Sequence, residues 1–229
     1  MTISVIIPAL NEQGNIAGAV TEVLEALGDR FAQYEVILVD DGSTDDTGKI
    51  MDQIAASNPH LKVIHNLQPS NFGGAYKKGL AAAAMEYVVM IPGDNQFPSS
   101  SIVKVLERIG KADIVVPYTS NQQIRTRGRR IGSQVFTRLL NFLFRLRLRY
   151  YNGIVVHRTH LVKSITITTD GFAYQAEALI KLLRAGHSYI EVATEITERA
   201  TGRSAALRPK NLILVMQTIR HLIGEIYFP

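Results

Sequence analysis

The amino-acid sequence predicts an α/β protein with a mostly parallel central sheet that helices cover on both faces. In the first half, short strand-like runs of apolar residues alternate with longer helical patterns, the β-α-β order that gives parallel strands. One of these runs, residues 36–39, contains three β-branched residues and leads directly into Asp40 and Asp41. Ligands of open α/β sheets bind at the carboxyl ends of strands. The sequence therefore also predicts an acid-lined crevice at this edge of the sheet.

The individual elements follow from the spacing of apolar residues along the chain. In the first half, strands are predicted at 3–8, 35–39, 61–65, 87–91 and 113–116, and helices at 16–27, 46–56, 74–84 and 100–109. After residue 117 the pattern predicts a basic loop at 118–128, an amphipathic helix at 131–149, a strand at 150–156, a helix at 172–185, a strand at 189–192 and a helix at 209–227.

The charge of the chain is distributed unevenly. The net charge of +5 comprises +10 from the stretch between Asp113 and Asp170, which contains no acid, and −5 from the rest of the 229 residues. A basic middle on an acidic body indicates an anionic partner, which is a nucleic acid, a phospholipid or a phosphorylated substrate. Nucleic acid is the weakest of these, because no recognition motif or aromatic platform accompanies the basic residues.

Composition gives expectations about the compartment. The chain has no cysteine, which excludes disulfides and thiol chemistry and suits a reducing compartment. No apolar run reaches the roughly 18 residues of a membrane span, and no secretory signal precedes the first strand. We therefore expect a cytoplasmic protein without a transmembrane helix.

Three further stretches place polar groups or glycines at predicted strand ends. Residues 8–12 carry Glu12 after the first strand, and residues 71–75 open a helix with two glycines that let backbone approach a ligand closely. Residues 92–98 place Asp94 and Gln96 two apart, and their oxygens suit Mg²⁺ or Mn²⁺ bound together with a diphosphate. Each stretch alone is also compatible with an ordinary turn or helix cap. Neither a Rossmann nor a P-loop glycine motif occurs.

In this order and spacing, the four stretches 8–12, 40–45, 71–75 and 93–98 resemble family 2 glycosyltransferases of the GT-A fold. The closest resemblance is to the group that contains dolichol-phosphate mannose synthases and bacterial polyprenol-phosphate glycosyltransferases. It extends to the segments 171–177 and 198–204 and covers about residues 3–208. It implies a GT-A domain at 1–208, with a nucleotide-sugar-binding half at 1–117 and an acceptor half at 118–208, followed by an amphipathic helix at 209–229.

The resemblance also implies roles for individual residues. Asp94 and Gln96 would bind the metal, Mg²⁺ or Mn²⁺. The nucleotide-sugar donor would be bound by Pro8, Leu10, Glu12, Val39, Asp41, Gly93, Asp94 and Arg199, and the acceptor or its phosphate by Arg127, Arg130, Gln175, Glu177 and Ser204. Asp94 and Asp170 are the candidate catalytic residues.

Three positions depart from the family pattern. Leu10 stands where an aromatic residue is usual, Pro92 replaces the first acid of the Asp-x-Asp metal motif, and Ala205 replaces a lysine. These departures keep open the alternative of a nucleotide-sugar-binding protein that has lost its chemistry.

The family's chemistry, inverting displacement at the anomeric carbon, leaves two acceptors open. A polyprenyl phosphate is already an anion and needs no general base, and it is the favoured acceptor. A sugar hydroxyl needs a carboxylate within hydrogen-bond reach, for which Asp170 is the candidate and Glu177 the reserve. The alternative for Asp170 is a helix N-cap.

The amphipathic helix 131–149 also has two interpretations. Its arginines and apolar arc suit contact with an anionic membrane surface, but a wide apolar arc is also typical of core packing. The resemblance and the acid-free surroundings favour the membrane, so we expect a peripheral protein on its cytoplasmic face. A homo-oligomer is an additional possibility for the partners.

Overall fold

The structure, a computed structural model, describes residues 1–198 and 209–228, with side chains in the last helix described from residue 211. Its seven strands are β1 Thr2–Ala9, β2 Gln33–Asp40, β3 Leu61–His65, β4 Tyr87–Met90, β5 Ile114–Thr119, β6 Val156–Arg158 and β7 Tyr189–Thr194. The eight α-helices are α1 Ile16–Leu27, α2 Thr47–Ala56, α3 Asn71–Ala82, α4 Ser99–Leu106, α5 Arg127–Phe144, α6 Thr159–Lys163, α7 Tyr174–Arg184 and α8 Pro209–Tyr227.

The strands form one sheet in the order β3-β2-β1-β4-β6-β5-β7, so strands from both halves of the chain share it. Only β6 runs antiparallel to its neighbours, which confirms the mostly parallel sheet. In the register of β1 and β2, Pro8 lies opposite Val39 and Ala9 opposite Asp40. Both strands therefore end at the same level, where the crevice was predicted. The domain boundaries inferred from the resemblance stay a prediction.

Two hydrophobic clusters cover the faces of the sheet. One contains the buried faces of α1 and α4, and the other contains residues of α3, α5, α7 and α8. The central strands are buried on both faces, which explains why they appear as continuous apolar runs in the sequence. Helix α8 docks through buried Ile219 and Leu222, and its Glu225 lies 2.8 Å from the ammonium of Lys181.

The elements of the first half lie within a few residues of the predictions, and the strand at 61–65 and the helix at 16–27 have the predicted bounds. The last helix, 209–227, also has its predicted bounds. The amphipathic helix was placed wrongly, because it spans 127–144 and not 131–149. Its C-cap, Arg145, is in the left-handed conformation with φ 54°. The side-chain amide of Asn141 donates to the carbonyl of Leu148 at 2.7 Å and accepts from the N–H of Leu148 at 3.1 Å. These two bonds take the place of the hydrogen bonds of a further helical turn.

The strand predicted at 150–156 was also wrong in extent. Strand β6 covers only 156–158, and the preceding apolar residues Tyr150, Tyr151, Ile154 and Val155 are buried without belonging to a strand. Their burial explains the strand-like pattern, because apolar content alone does not distinguish a buried loop from a strand. In the described part of the chain, no helix has both the length and the apolar composition to cross a bilayer.

Candidate active site

The turns that follow β1 and β2 interlock at the predicted crevice. The backbone N–H of Asn11 donates to Ser43 Oγ at 3.0 Å, and the N–H of Thr44 donates to Asn11 Oδ1 at 2.8 Å. The N–H of Glu12 donates to Thr47 Oγ1 at 2.8 Å. Asn11 has φ 55°, a left-handed conformation that asparagine tolerates better than most residues. These bonds join the two turns at the carboxyl ends of β1 and β2.

Residues predicted to bind the donor lie at or beside these joined turns. The carboxylate of Glu12 accepts a 2.6 Å bond from Asn15 Nδ2, and the carbonyl of Pro8 accepts a 3.1 Å bond from the N–H of Gly93. Leu10 is exposed at the edge. Val39, in contrast, is fully buried in a core cluster. In this conformation it supports the strand end and has no surface with which to line a pocket.

Asp41 is buried, and one of its oxygens is saturated with donors. Oδ1 accepts hydrogen bonds from Asn66 Nδ2 at 2.6 Å, from the N–H of Ser70 at 2.8 Å and from Ser70 Oγ at 2.6 Å. Lys78 extends the network by donating to Asn66 Oδ1 at 2.6 Å. Charge-assisted bonds of this kind fix the carboxylate rigidly at the strand end.

The neighbouring Asp40 has a separate set of partners. Its Oδ1 accepts from the N–H of Ser43 at 3.0 Å, and its Oδ2 lies 3.1 Å from His65 Nδ1. His65 Nε2 lies 3.0 Å from Asp52 Oδ1. The hydrogen bonds to Asp40 and Asp52 raise the pKa of His65. Asp40 is therefore fixed by the turn and by β3, through partners other than those that hold Asp41.

Asp94 and Gln96 lie in the loop after β4. Asp94 is buried, and its Oδ1 accepts a long 3.4 Å bond from the N–H of Gln96. Gln96 is joined to Thr197 by a 2.9 Å backbone bond and a 3.4 Å bond from its amide nitrogen. The described ranges contain no group of three His, Cys, Asp or Glu that could hold a metal. Asp94 and Gln96 offer one carboxylate and one amide oxygen, so a hard cation bound here would need its other ligands from a diphosphate and water.

The candidate base Asp170 is held against the start of α3. Its carbonyl accepts a 2.8 Å bond from the N–H of Gly73, and its Oδ1 lies 2.7 Å from Lys77 Nζ. A Cβ at residue 73 would lie within 2.9 Å of the backbone at 169–171, so only glycine permits this contact. Asp170 does not cap α7, whose N-cap is Ala173.

Two residues that were predicted to contact the acceptor are buried and already hydrogen-bonded within the protein. Gln175 Nε2 lies 2.9 Å from Nε2 of buried His157. Glu177 accepts bonds from the N–H groups of Thr168 and Thr169, at 2.9 and 3.1 Å, and pairs with Lys181. Burial opposes ionisation of Glu177, but these donors outweigh it and lower its pKa. In this conformation neither residue is open to an acceptor, and Glu177 instead anchors the loop that carries Asp170.

The remaining predicted binding residues divide into those that the structure describes and those that it does not. Arg127 and Arg130 lie in the first turn of α5, which follows a short 3₁₀ turn at Gln122–Ile124. Arg125, just before them, donates to the hydroxyl of Tyr150 at 2.9 Å. Arg199 and Ser204, together with Ala205, lie outside the described residues.

Helix α5 divides its apolar residues between two faces. Leu140 and Phe144 are buried in a core cluster. The opposite face exposes residues spaced by four, four and three, with 58% of Ile131, 57% of Val135, 37% of Leu139 and 82% of Phe142 open to solvent. We call these four residues the α5 stripe. Arg127 and Arg138 are exposed beside it. The core-packing interpretation from the sequence therefore describes the buried face, and membrane contact by the exposed face stays a prediction.

Comparison with known proteins identifies the family. The family model described as Glycosyl transferase family 2 matches residues 4–165. The chain belongs to this family. It is 24% identical over 219 residues to an undecaprenyl-phosphate mannosyltransferase of Micrococcus luteus, covering 89% of this chain and 87% of that protein. It is 25% identical over 213 residues to a polyprenol monophosphomannose synthase of Mycolicibacterium smegmatis, covering 87% and 79%.

Five further relatives are matched over only 33% to 38% of their own length. Among solved structures, glucosyl-3-phosphoglycerate synthase of Mycobacterium tuberculosis, in complex with Mn²⁺, UDP and phosphoglyceric acid, superposes with a TM-score of 0.74. That match has 20% identity and covers 97% of this chain and 78% of that one. It supports the GT-A fold, and the family membership makes the protein a family 2 glycosyltransferase.

The structure brings Glu12, Asp41 and Asp94 to one edge of the sheet, and Ser70 and Gly73 connect that edge to Asp170. Sequence reasoning missed Asn66 and Ser70, which hold Asp41, His65, which holds Asp40, and Lys77, which pairs with Asp170. One signal was present for His65 and Asn66, because they end a predicted strand at the same edge. No local signal pointed to Lys77, whose partner is far away in sequence.

Proposed function

We propose that this family 2 glycosyltransferase transfers a sugar from a nucleotide-diphosphate sugar to a polyprenyl phosphate at a membrane surface, with inversion and with the help of Mg²⁺ or Mn²⁺. The observation that carries the donor half is the cradle around Asp41. Three donors converge on its Oδ1, so its Oδ2 is the oxygen offered to a ligand. A fixed carboxylate oxygen recognises an N–H edge of a nucleobase.

The remaining donor contacts follow from the same edge. Glu12 and the backbone around Pro8 and Gly93 would accommodate the ribose, and Arg199 would contact the diphosphate. Asp94 and Gln96 would hold the divalent cation, which supplies positive charge to the departing diphosphate. The similar synthase was crystallised in complex with Mn²⁺ and UDP, which supports this assignment by analogy.

In the proposed reaction, a phosphate oxygen of the acceptor attacks the anomeric carbon of the sugar. The new carbon–oxygen bond forms on the face opposite the nucleoside diphosphate, which leaves with the electrons of the broken bond. The attacking oxygen is already anionic, so no proton has to be removed. The protein's task is to align the two substrates and to compensate their charges, which Arg127 and Arg130 do on the acceptor side.

The α5 stripe supports a lipid acceptor. Four apolar side chains on one exposed helix face, with arginines beside them, match the composition of helices that lie in the headgroup region of anionic membranes. The two bacterial relatives matched over most of their length carry undecaprenyl phosphate and polyprenol in their names, which favours the same class of acceptor here. The stripe would bring the active site to the surface where such an acceptor is held.

The test has two parts. A thermal-shift screen of nucleotide sugars with and without Mn²⁺ should show a Tm increase for one donor that depends on the metal. With that donor, a short-chain polyprenyl phosphate should then release nucleoside diphosphate and form a glycosylated lipid. No shift with any nucleotide sugar would refute the donor site, and a donor that is transferred only to sugar hydroxyls would refute the acceptor.

A further inference from the structure

The carboxylates that the sequence offered as general bases are both paired with lysines. Asp170 pairs with Lys77 at 2.7 Å, and Glu177 pairs with Lys181 at 3.0 Å. Glu177 is fully buried, whereas the side chain of Asp170 keeps 55% of its surface exposed. Asp170 is thus the carboxylate that an incoming acceptor would meet, and Lys77 is the charge that compensates it.

The position of this pair relative to the donor site is fixed by α3. At its N-terminus, the N–H of Ser70 holds Asp41, and three residues later the N–H of Gly73 holds the carbonyl of Asp170. Lys77 lies one turn further along the same helix and also donates to the carbonyl of Ile167 at 3.3 Å. The pair therefore lies within two helical turns of the residue that anchors Asp41.

The loop that carries Asp170 is also held from its other side. Glu177 accepts the N–H groups of Thr168 and Thr169, and the rings of Phe72 and Phe172 stack at 5.2 Å across the contact with α3. Asp170 has little freedom to swing away from the site. An uncompensated charge there would repel an anionic acceptor, and the loop could not move to relieve the repulsion.

We propose that Lys77 is a positioning residue that neutralises Asp170 and thereby admits an anionic acceptor. The inference rests on the proposed transferase function and deepens it, because it makes the Asp170–Lys77 pair a determinant of acceptor class. The carboxylate is held as the counterion of Lys77 and does not remove a proton. An acceptor phosphate would then approach a pair of net charge zero.

The test measures the KM for a short-chain polyprenyl phosphate and the KM for the donor in three variants. Lys77→Gln should raise the acceptor KM about fivefold, the effect expected of a partly exposed charge, and leave the donor KM within twofold. The double variant Lys77→Gln, Asp170→Asn should restore the acceptor KM. Asp170→Asn alone should lower it, because Lys77 is then released toward the phosphate.

Two lysines provide matched controls. Lys78→Gln makes the same change one residue later, where the ammonium bonds Asn66 in the network around Asp41, and should act on the donor KM. Lys104→Gln removes one exposed positive charge from α4, which packs on the other face of the sheet, and should change neither KM. The effect of Lys77→Gln should also shrink as ionic strength rises, which a purely structural role would not produce.

The outcomes separate the two proposals. A wild-type protein that transfers no sugar to polyprenyl phosphate overturns the proposed function and this inference with it. Transfer by the wild type with an acceptor KM that Lys77→Gln does not change overturns the inference alone. Loss of turnover in both Asp170→Asn and the double variant assigns Asp170 as a base and likewise overturns it.

Discussion

His157 should make the fold sensitive to mild acid. It is buried in β6 between Val88 of β4 and Ile114 of β5, and its Nδ1 has no hydrogen-bond partner in the described part of the chain. Burial lowers the pKa of His157 from 6.5 to about 3. The unfolded chain therefore binds a proton that the folded chain excludes at every pH between these two values.

The sign and size of the effect follow from proton linkage. Because the folded pKa is depressed, this contribution to stability is complete above pH 6.5 and is lost as the pH falls toward 3. Between pH 8 and pH 5 the loss amounts to about 2 kcal/mol. His65 acts in the opposite sense, because its raised pKa adds stability below 6.5 that is lost as the pH rises through its folded pKa.

The assay is urea unfolding at pH 8 and pH 5 for the wild type and for His157→Leu, a change of similar volume. When the pH falls from 8 to 5, the free energy of unfolding should decrease by about 2 kcal/mol less in the variant than in the wild type. Gln175→Leu is the matched control, because it removes the same 2.9 Å hydrogen bond but keeps the titrating ring. The control should retain the wild-type pH dependence. Equal pH dependence in the wild type and in His157→Leu would refute the reasoning.

Three further variants test the site and the surface. Asp94→Asn should abolish donor turnover while the Tm stays within a few degrees, and unchanged turnover would contradict the metal assignment. Asn66→Ala removes a buried 2.6 Å bond to Asp41 and should raise the donor Kd, measured by isothermal titration, at least tenfold. An unchanged Kd would show that Asp41 does not bind the nucleobase of the donor. The double variant Ile131→Ser, Phe142→Ser should lower partitioning onto anionic liposomes at least tenfold in a flotation assay. Leu67→Ser is the control, because it also removes an exposed apolar side chain but lies outside the α5 stripe. Equal flotation of these proteins would refute the membrane contact.

The sheet and its helices were predictable because their local patterns agree with the tertiary structure. Strand β3 and helix α1 have the bounds that apolar spacing gives, since each is bounded by turn residues and buries the face its pattern indicates. The end of α5 was not predictable in this way. Residues 145–149 alternate arginine and leucine, a period of two that does not continue the helical spacing. That alternation alone does not fix the last helical residue, which the bonds of Asn141 to Leu148 show in the structure.

The same distinction applies to the candidate site. The acids themselves stand at predicted strand ends, so their shared edge follows from strand order. Their partners are contributed by other elements: Asn66 reaches Asp41 from the end of β3, and Lys77 reaches Asp170 from α3. Such pairings depend on side-chain directions in three dimensions. A single sequence therefore offered Asp170 as a base or a helix cap, and the ion pair became visible only in the fold.

The adjacent acids after β2 show how the fold assigns different roles to similar residues. Two buried carboxylates side by side repel each other unless each has its own donors. Oδ1 of Asp40 accepts a hydrogen bond from the N–H of Ser43, and Oδ2 is hydrogen-bonded to His65, so both oxygens have a partner. In Asp41, the hydrogen bonds from Asn66 and Ser70 all end on Oδ1. The asymmetry makes Asp40 a structural anchor of the turn, whereas Oδ2 of Asp41 is left for the ligand contact that we propose.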